Sequence, residues 1–397
     1  MRVLFWVNSF PLVSETFIRN QIVDLIDNGI DVKILCTHKN EDTQGIEGFE
    51  HYNLLSKTVD FKRIIPELKK EKRKKAIEIL MKGFFSKNFF YFLNFVFLLV
   101  SNRKKNNLRS LFILDYIIKN KINVLHCHFG PVGKEAVFLK KIGLSIKLIC
   151  TFHGYDIRLG IKHEKSFYEE LFKYADTIIS ISNYNKKMLL SFGLNEKKIV
   201  ELNNGVTLAY EESRKGQLQN KVSILSVGRL VEEKGYDLAL DAFSNFCKKY
   251  PHLYFHYNII GGGVLEEKLK KKCHDLNLDS LVTFHMAQNS EYVKGKLLEA
   301  DLFFLPSISE AIPTVILEAQ SYSLPVIATN VGSVKDLVVN DITGFLCNDV
   351  VNDIVDCLKK MFDNREKWNI YGVNAKKNIA LNYDRNILVK KLIEIYK

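Results

Sequence analysis

The sequence predicts an α/β protein of two doubly wound domains, and three observations carry that prediction. Apolar, strand-like runs alternate with helical stretches through the first half, and the alternation starts again at Val222. Between the two series lies the polar segment LAYEESRKGQLQNK (208–221), which reads as a linker. With 397 residues and 47% apolar content the chain exceeds one ordinary domain and has enough core for two.

In the first half the expected strands are 3–7, 32–36, 124–128, 148–152 and 177–181. The run VLFWV near the N-terminus is short and gives way to polar residues, so it reads as a first strand and not as a signal peptide. Seven cysteines, with no CxxC and no metal-ligand spacing, point to reduced thiols in a cytosolic protein. There is no internal sequence repeat beyond the duplicated architecture, and no low-complexity tract.

The second half opens with ILSVGRLVEEKGYDLAL (224–240), a buried strand, a glycine turn and an amphipathic helix. Such a unit belongs at the ligand edge of a parallel sheet. Arg229 and Lys234 flank the turn, where two cations suit a diphosphate. A turn with solvated basic residues accounts for this segment equally well.

Further on, EAIPTVILE (310–318) places two carboxylates around a proline and an apolar run. Pro313 fits the first turn of a helix, where a missing N–H costs nothing, which puts Glu310 in the loop before the helix and Glu318 inside it. The free N–H groups of Ala311, Ile312, Thr314 and Val315 would then face phosphate or sugar oxygens. An ordinary surface helix with two solvated acids fits these nine residues alone; the glycine turn upstream favours the ligand site.

Together GRLVEEKG (228–235), YFHYNIIGGG (254–263), VTFHM (282–286), ADLFFLPS (300–307), EAIPTVILEA (310–319) and LPVIATNVGS (324–333) resemble the C-terminal half of the family 4 retaining glycosyltransferases. FPLVSETFIRNQIVDLIDNGIDVKIL (10–35), HCHFG (126–130) and TFHGYDI (151–157) are similar to the subgroup that builds bacterial exopolysaccharide or lipopolysaccharide. The resemblance covers nearly the whole chain. It implies the GT-B fold, two Rossmann-like domains facing a central cleft. Residues 1–207 would be an acceptor-binding domain, 222–382 a nucleotide-sugar-binding domain, and 383–397 a last helix crossing back to the first domain.

The resemblance also implies roles. Arg229 and Lys234 would bind the donor diphosphate and stabilise it as leaving group, an electrostatic contribution of about 3 kcal/mol. Glu318 would accept hydrogen bonds from the ribose hydroxyls, and Glu310 would contact the donor sugar. His153 matches a histidine that faces the reacting sugar, with Asp156 as its neighbour on the acceptor side. The donor is a nucleotide sugar, UDP being favoured over GDP by its frequency among similar proteins. The acceptor would be a glycan or a lipid-linked glycan. No cofactor is implied and no metal: the chain has no DxD triplet, and His126 and His128, which alternate on a strand in metal-ligand fashion, lack an evident third ligand. They read as structural or acceptor-side residues.

One departure from the family stands out. Many members carry a glycine-rich loop after the first strand, whereas here the loop is NSFPLVSET. Ser14, Glu15 and Thr16 would supply hydroxyl or carboxylate contacts there, on the acceptor side, or else cap the helix that follows. Two other classes stay open: a GT-B-shaped nucleotide-sugar epimerase, which needs acids placed for proton transfer at C2, and a non-catalytic interaction protein of a polysaccharide assembly.

Charge is uneven. Residues 1–205 hold 33 Lys and Arg against 21 Asp and Glu, whereas 206–397 hold 24 of each, so the net +12 belongs to the first half. Basic clusters at 62–75 and 103–109 bracket residues 84–100, where 13 of 17 positions are apolar or aromatic. This composition suits an anionic membrane surface, and with it a cytoplasmic enzyme held peripherally on the inner face of the cell membrane. A buried core helix is the competing reading. A spanning helix needs about 20 apolar residues, and Lys87, Asn88 and Asn94 interrupt the run. A nucleic-acid partner is disfavoured, since no recognised module accompanies the charge.

Overall fold

The computed structural model describes residues 1–12, 15–41, 49–101, 108–163, 165–209, 221–310 and 312–397. It contains two parallel sheets and two compact units, one formed by Met1–Leu202 with Val389–Lys397 and the other by Asn203–Leu388. Most of the expected linker and of the basic cluster 103–109 lies outside the described residues, as do Ser14 and Ala311.

In the first unit seven strands, β1 (Arg2–Phe10), β2 (Asp31–Lys39), β3 (Thr58–Asp60), β4 (Val124–His128), β5 (Lys147–Phe152), β6 (Thr177–Ser180) and β7 (Ile199–Glu201), take the order β3-β2-β1-β4-β5-β6-β7. Val3 lies opposite Val32 on one side and Val124 on the other. The chain reverses its direction of growth between β1 and β4, and that reversal opens a crevice at the carboxyl ends of the two strands. The five expected strands are present, β1 and β2 running longer than expected. The two three-residue edge strands, β3 and β7, are too short to give a periodic signal.

The second unit holds six strands, β8 (Val222–Val227), β9 (Phe255–Ile260), β10 (Val282–Phe284), β11 (Leu302–Leu305), β12 (Val326–Thr329) and β13 (Gly344–Cys347), in the order β10-β9-β8-β11-β12-β13. Its reversal falls between β8 and β11. The strands read as continuous apolar runs because both sheet faces are covered. Phe243, on the helix Tyr236–Lys249, packs on Phe255, Tyr257 and Phe304 with ring centroids 5.0, 4.5 and 5.7 Å away.

Two details differ from the sequence expectation. Pro313 precedes its helix, whose first residue is Thr314, and residues 84–100 are neither a fully buried core helix nor a spanning one. They contribute the end of one helix, Lys69–Phe84, and most of the next, Phe89–Ser101. Phe92 and Phe95 point into the core while Phe90, Phe97 and Val100 are exposed. Among the described residues no helix is long and apolar enough to cross a membrane.

The two helices meet where Gly83 faces Phe92. A Cβ at Gly83 would stand 2.4 Å from the Phe92 ring. A methyl group cannot fit there without moving a buried ring. Gly83→Ala should therefore lower stability by about 1–3 kcal/mol, despite alanine's better helix propensity of about 1 kcal/mol. Urea denaturation of the two proteins measures this; a more stable variant would contradict the tight crossing.

Candidate functional site

At the carboxyl edge of the second sheet, the reversal point brings together the loop after β8 and the loop after β11. Leu225 of β8 lies beside Phe303 of β11, so residues 228–235 and 306–312 leave neighbouring strands. Ser226 Oγ donates to the Phe304 carbonyl at 2.5 Å and lies 2.8 Å from Tyr257 Oη, which ties the three central strands together just below the loops. Ile308 N donates to the Glu233 carbonyl at 2.9 Å, joining one loop to the other.

Two glycines make this closeness possible. Gly235 (φ 65°) lies so near β11's end that a Cβ would stand 2.0 Å from the Pro306 carbonyl oxygen. Gly332 (φ 55°), from the loop after β12, lies against Glu310, whose carbonyl oxygen would be 1.7 Å from a Cβ. Any side chain would meet backbone at both positions, in a conformation that L residues rarely adopt. The GR…KG and NVGS motifs thus contribute glycine as much as charge.

Inside this frame Lys234 Nζ lies 2.5 Å from Glu310 Oε1, and Ser307 Oγ donates to the same oxygen at 2.7 Å. The Lys234 and Glu310 side chains are only 17% and 9% exposed. Lys234 and Glu310, expected to serve different parts of a ligand, are partners in this structure. Arg229, by contrast, is exposed and has no ion-pair partner among the described residues.

The helix Thr314–Ser321 begins next to Glu310, and the N–H groups of Ile312, Thr314 and Val315 make no hydrogen bond to a described residue. Ile316 N is the first to be bonded, to the Pro313 carbonyl at 3.1 Å. Unbonded N–H groups at a helix start favour an anionic or carbonyl-like oxygen. One turn in, Glu318 is half-buried; its backbone carbonyl accepts from Ser321 Oγ at 2.7 Å, while its carboxylate accepts no hydrogen bond from a described residue. Burial pushes its carboxyl up to about 7, with Lys294 pulling weakly the other way. A half-buried carboxylate left without donors suits a pair of hydroxyls.

In the first unit the corresponding edge carries a row of imidazoles. His153 follows β5 and is 5% exposed, its Nε2 3.1 Å from His128 Nδ1 and its ring 4.6 Å from Phe17 and 4.8 Å from Phe129. His126 lies between Tyr396 Oη and Thr151 Oγ1, each 2.7 Å from a ring nitrogen. Burial pushes His126 and His153 down to about 3 and holds His128 well below the usual imidazole range, so all three are neutral near pH 7. His153 Nδ1 is buried with no hydrogen-bond partner in the structure.

Asp156 has a different place from the one expected of an acceptor-side residue. Its fully buried carboxylate accepts from Gly130 N at 2.9 Å and His153 N at 2.6 Å, and burial raises it to about 7 against those two bonds. Its oxygens are taken up by backbone, and it holds the His153 backbone in place. Glu15 stands at the N-cap position of the helix Thr16–Asp27 but its side chain caps nothing. Burial pushes the Glu15 carboxyl up to about 7. Thr16 opens that helix. Among the described residues no group of three or more His, Cys, Asp or Glu is placed to hold a metal ion.

Sequence reasoning missed three contacts: Lys234 with Glu310, His128 with His153, and Tyr396 with His126. The HxH alternation was the only signal for the second pair, and nothing local announces a tyrosine 270 residues from its histidine.

Comparison with known proteins gives a consistent picture. A family model described as "Glycosyltransferase Family 4" matches residues 14–210, and one described as "Glycosyl transferases group 1" matches 210–378. The chain is 31% identical over 356 residues to the putative colanic acid biosynthesis glycosyltransferase WcaL of Escherichia coli (strain K12), covering 87% of this chain and 86% of that protein. To the amylovoran biosynthesis glycosyltransferase AmsK of Erwinia amylovora it is 29% identical over 374 residues, with the same coverage of 87% and 86%. Among solved structures, Anabaena HepE in complex with UDP superposes with a TM-score of 0.73 at 13% identity, covering 100% of this chain and 99% of that one.

Two predictions follow from the geometry. Lys234→Ala and Glu310→Ala should each cost about 1–3 kcal/mol of stability, with the double variant less costly than the sum by about 1–2 kcal/mol. A double-mutant cycle by chemical denaturation reads this coupling, and additive effects would mean the pair is not formed in solution. For Glu318 the folded value near 7 exceeds the ordinary 4.5, so the folded state holds the extra proton and loses stability as pH rises from 4.5 to 7. Glu318→Gln removes that loss. The variant should gain about 1–3 kcal/mol over the wild type between pH 5 and pH 8, measured by melts at both.

Proposed function

The chain belongs to the family 4 glycosyltransferases, and on that premise we propose that it transfers a sugar, with retention of anomeric configuration, from a UDP-sugar to a lipid-linked glycan in surface-polysaccharide synthesis. The observation that carries the donor side is the constellation at the second sheet's reversal point. There a cation pair, Arg229 and Lys234, a carboxylate, Glu310, and a helix start with unbonded N–H groups lie within one set of linked loops.

The diphosphate takes Arg229 and Lys234. To do so it draws Lys234 partly away from Glu310, and the released carboxylate turns to the sugar hydroxyls. Ile312, Thr314 and Val315 offer N–H groups to sugar or phosphate oxygens. Ala311, which lies outside the described residues, is assigned the same part. Glu318, ionised, accepts from the two ribose hydroxyls. As the bond from the anomeric carbon to the phosphate oxygen breaks, the two cations stabilise the departing diphosphate, an effect of about 3 kcal/mol. The acceptor hydroxyl forms the new bond to that carbon and gives its proton to the leaving phosphate.

For the first unit, His153 is assigned to the reacting sugar. It is a neutral imidazole whose Nε2 is engaged by His128 and whose Nδ1 is free to bond a hydroxyl. Asp156 and His128 position it. Ser14, Glu15 and Thr16 are assigned to the acceptor. Two relatives are named for colanic acid and amylovoran synthesis, and the structural neighbour was solved with UDP; these support the polysaccharide setting and the donor base. We place the enzyme in the cytoplasm, at the inner face of the membrane that holds a lipid-linked acceptor.

The test is transfer of radiolabelled sugar from a panel of UDP-sugars into chloroform-soluble glycolipid. Glu310→Ala should abolish transfer while UDP affinity stays the same or tightens, since Lys234 loses its competitor. Full activity in that variant would overturn the assignment.

A further inference from the structure

The helices Lys69–Phe84 and Phe89–Ser101 expose an apolar surface that no part of the described chain covers. On the first, Lys70, Lys74, Ile77 and Met81 follow helical spacing along one solvent-facing stripe that leads to Phe85. On the second, Phe90, Phe97 and Val100 lie opposite the buried Phe92 and Phe95. Phe85, Phe90 and Phe97 are 85%, 70% and 75% exposed. Rings connect the stripes at the turn: Phe84 to Phe89 at 5.8 Å and Phe89 to Phe90 at 5.4 Å. A helix apolar on both faces belongs against something other than water.

Charge identifies what covers it. Residues 61–87 carry ten Lys and Arg against three Glu, and Lys70 and Lys74 have no ion-pair partner among the described residues. A second copy of the chain would bring the same cationic surface against this one, which repulsion opposes. An apolar core beside unpaired lysines matches an anionic lipid surface, where rings enter the acyl boundary and lysines meet headgroups.

We infer that this helix pair is the chain's membrane-docking surface, resting on anionic phospholipid through Phe85, Phe90 and Phe97 with Lys70 and Lys74 at the headgroups. The inference deepens the proposed function by naming where the enzyme meets the bilayer that holds its acceptor. Its test uses neither sugar nor nucleotide, so it fails or succeeds independently of sugar transfer.

The full chain is sedimented with vesicles of phosphatidylcholine alone and of phosphatidylcholine mixed with phosphatidylglycerol. Binding to the mixed vesicles, weakened by salt, is expected. Lys70→Ala and Lys74→Ala should each reduce partitioning about fivefold. Phe90→Ser with Phe97→Ser should abolish it while leaving the circular dichroism melt unchanged, because both rings are exposed. In Phe97→Trp, a blue shift of the new emission on mixed vesicles would report entry into the bilayer. Equal partitioning into neutral and anionic vesicles would overturn the inference. So would a dimer in ultracentrifugation that Phe97→Ser dissolves, without vesicle binding; that result would assign the face to a second copy.

Discussion

The Lys234–Glu310 ion pair ties together two loops that leave neighbouring strands of the second sheet, and the proposed donor site depends on their staying close. The contact is possible only because Gly235 and Gly332 let backbone approach backbone. Taking a lysine and a glutamate out of water is expensive, and Ser307 offsets part of that cost by donating to the same carboxylate oxygen. The arrangement holds a cation and an anion in a neutral pair, which in the proposed function a ligand of complementary charge separates. Arg229, exposed on the first of these loops, would give an arriving diphosphate of the proposed donor a first point of attraction.

Glu318 and the three histidines follow the same physical rule from opposite signs. Burial penalises the charged form, raising the carboxyl and lowering the imidazoles. The histidines are thereby kept as neutral hydrogen-bonding groups, and the Glu318 carboxyl is raised to about 7, where a change in its surroundings decides its state. The protonation state of each group is set by how deeply the fold buries it.

Much of this was legible in the chain itself. Continuous apolar strands and glycine turns gave the two parallel sheets, because a strand covered on both faces has no polar positions to disguise it. EAIPTVILE gave Glu310 and Glu318 their loop and helix positions, although Pro313 falls just before the helix and not within its first turn. What periodicity cannot show is which side chains meet across loops: Lys234 and Glu310 are 76 residues apart, and Tyr396 reaches His126 from the last helix. Asp156 looked like a ligand-facing acid in HGYD because a buried carboxylate bonded to backbone and a solvated one have the same local sequence. The apolar run at 84–100 was ambiguous for a related reason. Both faces of its helix are apolar, and only the fold separates the face that packs from the face that stays exposed.

The most direct test of the donor site is a calorimetric titration of UDP into the wild type and Glu318→Gln near pH 7, in two buffers of different ionisation enthalpy. If Glu318 loses its proton to accept the ribose hydroxyls, UDP binding releases protons in the wild type, and the release falls and affinity weakens in the variant. Absence of UDP binding, or the same affinity and proton release in both proteins, would contradict a nucleotide-sugar site at the reversal point of the second sheet.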